Sequence, residues 1–146
     1  MDPKAWLVLI VLWVLIFGAP AVSWWLRGSQ EIAKNPALRS GYRKLILGWL
    51  TWHSIPLLIL GAIYELPDPF LGPPLVVLGA TLCIQGFAAS CWVLFGSGAE
   101  QLVAHPGLLA GSPDRWTIRG HASAGAVFSA LGLLGIGSLF ALGYIP

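Results

Sequence analysis

Three histidines, two cysteines and six carboxylates are all this 146-residue chain offers for acid–base, nucleophilic or metal chemistry. His53 is set deepest in apolar sequence, in the stretch LGWLTWHSIPLL (residues 47–58). A neutral imidazole at membrane depth is a good axial ligand for haem iron or chlorophyll magnesium. Trp49, Trp52 and Trp92 would then supply flat surfaces for the macrocycle. The same histidine also has a structural reading. Pro56 carries no amide hydrogen, so the Trp52 carbonyl loses its helical donor, and Ser54, His53 or a water is expected to help satisfy it.

The other candidates narrow the chemistry further. A second imidazole at the level of His53 is missing, because His121 follows Arg119 by two residues and belongs near the membrane surface, about 10 Å away in depth. His105, in AHPG, reads as a loop residue ahead of a turn. Gln85 is the strongly polar side chain in the middle of its apolar run and is expected to hydrogen-bond another helix. Alternatively, it lines a cavity with His53 in a small transporter or quinone-handling protein. No carboxylate lies within an apolar run: Asp2, Glu65 and Asp68 fall at one set of ends and Glu31, Glu100 and Asp114 at the other. That argues against proton-coupled export and ion pumping. Phosphate-binding glycine loops, nucleophile elbows and zinc-spaced ligand sets are absent from the sequence. Cys83 and Cys91, eight residues apart, would be separated by about 12 Å along a helix, too far for a disulfide, and read as small apolar fillers.

These residues are positioned by an unusually apolar chain, with 57% hydrophobic and 10% charged residues. A helix needs about 20 apolar residues to cross a hydrocarbon layer of about 30 Å. Four stretches meet that length, at residues 6–25, 45–64, 75–95 and 121–144. The expected fold is therefore all-α, a single four-helix membrane bundle over residues 1–146. Of eight basic residues, Lys4 alone lies at the opposite end from Arg27, Lys34, Arg39, Arg43, Lys44, Arg115 and Arg119. Cationic loops resist translocation. Both termini are accordingly expected on the non-cytoplasmic side, and the first stretch, with its basic residues at the far end, is expected to remain as a span rather than act as a cleaved leader.

Between the runs lie turn and cap signals. The segment ELPDPFLGPP makes the second and third spans antiparallel neighbours. Asn35-Pro36 and Ser112-Pro113 are expected to start helices that lead into the second and fourth spans, with room for a bend at Gly41 and Gly120. QEIAKNPAL and EQLVAHPGL form a faint internal echo, as a duplicated helix pair would.

Small residues recur at three- and four-residue steps in the last two spans: Gly79, Cys83, Gly86 and Ser90, then Ala122, Gly125, Ser129 and Gly132. Such faces allow membrane helices to approach closely, so these two spans are expected to pack together. The first span is bulky all round, and Trp6, Trp13 and Phe17 are assigned to lipid, pigment or partner contact. Interfacial tryptophans form a belt, whereas Trp13, Trp52 and Trp92 lie deeper. Arg39, Arg43 and Lys44 are placed against anionic lipid or an acidic partner surface.

The expected function is a non-catalytic accessory or assembly subunit on a larger photosynthetic or respiratory complex, in a bacterial inner membrane. Lipid and that complex are the expected partners, without nucleic acid. The first alternative is a small electron-transfer or light-harvesting protein binding haem or chlorophyll through His53; the second is the transporter or quinone-handling protein.

Overall fold

A computed structural model describes residues 3–65, 74–109, 111 and 113–143. The described residues are predominantly helical, with no strand among them. The helices are α1 (Pro3–Trp13), α2 (Ala19–Lys34), α3 (Arg39–Glu65), α4 (Pro74–Phe95), α5 (Gly98–Ala104) and α6 (Arg115–Ala141). Among the described residues, three helical stretches are long and apolar enough to cross a membrane: Ile10–Lys34, Val76–Phe95 and Arg115–Ala141. The expected turn at residues 65–74, the Ser112 cap and Tyr144 lie wholly or largely outside the described residues.

A single π-helical turn, Val14–Gly18, joins α1 to α2. Its signature is the Ala19 amide bonded to the Val14 carbonyl, five residues back. Pro20 explains it locally. Lacking a donor and crowding the carbonyl of Ile16, it favours a widened turn just ahead of itself. The helix then continues to Lys34, well beyond the expected end at Trp25, and Asn35 caps the following 3₁₀ turn by accepting from the Ala37 amide at 3.2 Å.

The start of α6 differs from expectation. Asp114, not Ser112, is its cap, accepting from the Thr117 amide at 2.7 Å. A carboxylate here also meets the positive end of the helix dipole. Both α3 and α6 run without interruption through Gly41 and Gly120, so neither glycine breaks its helix.

The most extensive pairing joins α4 and α6, while α3 contacts α1, α2 and α4. Along the α4–α6 seam, each glycine is opposed by a side chain. A Cβ on Gly86 would lie 2.6 Å from Ser129 Oγ, one on Gly132 2.6 Å from Cys83 Sγ, and one on Gly125 3.0 Å from Ser90 Oγ. Gly79 faces Ile136 in the same register. Ala122 packs with Val93, Ala99 and Ile118 at the α5 end of the seam. Cys83 and Cys91 are both free thiols.

The best-buried residues gather at the end rich in basic residues. Ala21, Tyr42, Ile46 and Leu108 form one cluster and Val93, Ala99 and Ile118 another, with Leu102 packed against both. The remaining helical surface is largely apolar and exposed, as lipid contact allows.

Candidate functional site

Two polar joints hold α3, on the adjacent carbonyls of Trp52 and His53. The Trp52 carbonyl, deprived of its donor by Pro56, accepts instead from Gln85 Nε2 on α4 at 2.6 Å. The partner is therefore a side chain from a neighbouring helix, in place of the expected Ser54, His53 or water. The hydroxyl of Ser54 is engaged with the Leu50 carbonyl at 2.8 Å. One residue on, the His53 carbonyl accepts from the indole of Trp13 at 3.0 Å, fastening α1 to the same turn of α3. Gln85 is buried, and its Oε1 has no partner among the described residues.

Phe17, four residues beyond Trp13, lies beside it on the face turned to α3. Phe17 lies 4.6 Å from the His53 ring, and Trp49 lies 3.7 Å from it, by ring centroids. Trp24 meets Trp49 edge-on at 4.8 Å. His53 Nδ1 is 2.8 Å from the Trp49 carbonyl. Because a carbonyl only accepts, Nδ1 carries the proton, and in the neutral ring Nε2 keeps its lone pair. The indole nitrogen of Trp49 is buried without a partner among the described residues.

The four residues assigned to a ring-shaped cofactor thus separate. His53 and Trp49 come together. Trp52 contributes its carbonyl to the joint with α4, and its side chain is exposed. Trp92 lies at the α4–α5 junction, its indole ring against Gly98. The contact residues of the first span also turn inward: Trp6 packs against Gly61, and Trp13 and Phe17 face α3. The outward surface consists instead of aliphatic residues such as Leu7, Ile10, Leu15 and Ile16. Arg39, Arg43 and Lys44 are exposed at the start of α3.

A second assembly surrounds Tyr42, the largest fully buried side chain among the described residues. Its phenol donates to the Pro106 carbonyl, its ring covers Gly28, and His105 meets it edge-on at 4.9 Å. His105 packs directly on Gly41, where any Cβ would collide with the imidazole. Gly41 therefore seats a ring rather than permitting a bend. His105 Nδ1 is 2.7 Å from the Gln101 carbonyl. Gly107 turns the chain with φ at +91°, in the left-handed region that glycine adopts without strain. Burial pushes the Tyr42 phenol above its ordinary range, and the negative charge of Glu31 adds to the effect. The sequence signal for this assembly was the echo itself: Ile32, Leu38, Leu102 and Leu108, equivalent in the two segments, belong to one cluster.

Charged residues at the same end pair locally. Glu100 meets Arg115 at 2.5 Å and Arg119 at 3.4 Å, and Glu31 meets Lys34 at 2.9 Å. Among the described residues, no group of three or more His, Cys, Asp or Glu side chains is placed to hold a metal ion. No family model, curated protein or solved structure matches the chain.

Proposed function

We propose that this chain is an accessory or assembly subunit without catalysis of its own, lodged against a larger energy-transducing complex of a bacterial inner membrane. In this reading α3 is the fourth crossing and both termini lie on the non-cytoplasmic side, with Arg39, Arg43 and Lys44 against anionic lipid or the partner's acidic surface. The observation that carries it is the division of labour in α1 and the π turn that follows it. Their aromatic residues are used inside the chain, leaving exposed aliphatic side chains that include Leu7, Leu15 and Ile16, exposed by 63%, 62% and 57%. Polar groups at membrane depth are likewise used to join helices: Gln85 and Trp13 both bond carbonyls of α3. Native electrophoresis of a tagged chain in mild detergent tests the reading. Co-migration with a much larger assembly, lost on replacing Leu15 and Ile16 by serine, is the expected result. A folded chain that runs alone would overturn it.

A second reading is favoured by one distance. With Nδ1 held by the Trp49 carbonyl, His53 has the orientation and tautomer commonly imposed on metal-ligating imidazoles. Haem or chlorophyll bound there would disappear from the visible spectrum of a His53→Ala protein. An unaltered spectrum would remove this alternative.

A further inference from the structure

Beyond the seam and the joints, one cavity has the makings of a ligand site. It lies between α4 and α6, beneath α5 and the following loop, with a volume of about 360 Å³. Its walls include Val93, Ile118 and Leu102, and Leu109 and Pro113 come from the loop. Two polar side chains interrupt this apolar lining. Ser90 is 7% exposed, and its hydroxyl takes part in none of the side-chain hydrogen bonds among the described residues. His121, one turn nearer the start of α6 than Gly125, the residue facing Ser90, is exposed at the rim.

A hydroxyl that makes no side-chain hydrogen bond within the protein keeps its donor for whatever enters the cavity. The cavity has room for several waters, yet its lining is too apolar to hold them well. It extends over one turn of α4, Ala89 to Val93, and one turn of α6, Ile118 to Ala122. That is about 6 Å along each axis, short for an extended acyl chain and suited to a compact ring.

The geometry points to a binding site for the head of a membrane-soluble quinone, an apolar ring whose carbonyl oxygens accept from Ser90 and His121. The site stands independently of the proposed subunit role, since it requires no partner chain. It binds the ring; no electron transfer is assigned to it.

Duroquinone is a suitable probe, because its fully substituted ring offers no open position for addition of Cys83 or Cys91. The expected result is a saturable rise in the thermal unfolding midpoint of the detergent-purified chain. Ser90→Ala and His121→Leu should each weaken duroquinone binding about fivefold, the value of one ordinary hydrogen bond. Ser129→Ala, which removes a seam hydroxyl outside the cavity, should leave binding unchanged. Should Ser90→Ala fail to fold, Ala89→Phe fills the cavity from its exposed rim and should abolish the shift. No saturable shift, or one equal in the Ser90, His121 and Ala89 variants, would overturn the site. Displacement of duroquinone by short-chain phosphatidylglycerol, with the same dependence on Ser90, would overturn the ring assignment in favour of a lipid carbonyl.

Discussion

The α4–α6 seam and the polar joint of α3 solve the same problem by opposite means. In the seam, small residues bring two backbones together, with Gly86 and Gly132 each under a neighbour's Ser or Cys. In the joint, a proline frees a carbonyl and a distant side chain takes it: Gln85 binds Trp52, with Trp13 on the adjacent carbonyl. The seam depends on shape and therefore on volume. The joint depends on hydrogen bonds made where water is scarce, so its members depend on one another.

The largest effect that could break this comparison is a change of volume in the seam. Gly86→Leu should destabilise the chain by about 3 kcal/mol, at the upper end of ordinary overpacking, because its side chain would enter the space of Ser129. Gly48→Leu is the control. Nothing lies within 4 Å of a Cβ there, and leucine favours helix over glycine, so stability should stay within about 0.5 kcal/mol of the parent or rise. Unfolding in mixed detergent measures both. Equal losses would show that the seam has no special packing.

In the joint, the sharper test is dependence. Gln85→Leu should cost about 1 kcal/mol, since it leaves the Trp52 carbonyl without a donor. In a Pro56→Ala background the backbone amide returns, and the same substitution should be neutral or stabilising. The difference, a coupling of about 1 kcal/mol, is read from the double-mutant cycle. Additive losses would separate Gln85 from the proline. A smaller loss, about 0.6 kcal/mol, is expected for Trp13→Phe, which keeps an aromatic ring but removes the donor to His53. If that variant were as costly as Gly86→Leu, the indole would have to matter through packing rather than through its hydrogen bond.

The two regions were unequally legible. Seam residues announce themselves by size and spacing along a single helix, and the same residues oppose one another in the structure. Gln85 is conspicuous as an amide in an apolar run, but its partner depends on the register between α3 and α4, which local sequence does not specify. Trp13 and Phe17 were hidden for another reason. Bulky apolar residues surround the first span on every side, so no spacing singled out the face that α3 covers. The burial of Tyr42 is created by a distant segment: His105 covers its ring, and Pro106, whose carbonyl its phenol reaches, lies 64 residues further along the chain. What a residue's own neighbours determine was readable; what a distant segment covers was not.

The smallest predicted effect concerns how the seam begins. Asp114 caps α6, and the Thr117 amide, more than any other contact, lowers its carboxyl pKa below the ordinary value of 3.8. A carboxyl with a depressed folded-state pKa contributes stability that is present above its unfolded pKa and lost as pH falls through the folded one. The chain should therefore lose part of its stability as pH falls below about 4, in the acid range only. In an Asp114→Asn protein the side-chain carbonyl can still accept from the Thr117 amide, yet the cap does not titrate. The difference between parent and variant unfolding midpoints should consequently shrink or reverse in acid while remaining constant near neutrality. A parent–variant difference independent of pH would mean that the cap acts without its charge, leaving the start of α6 governed by geometry alone, as the rest of the seam is.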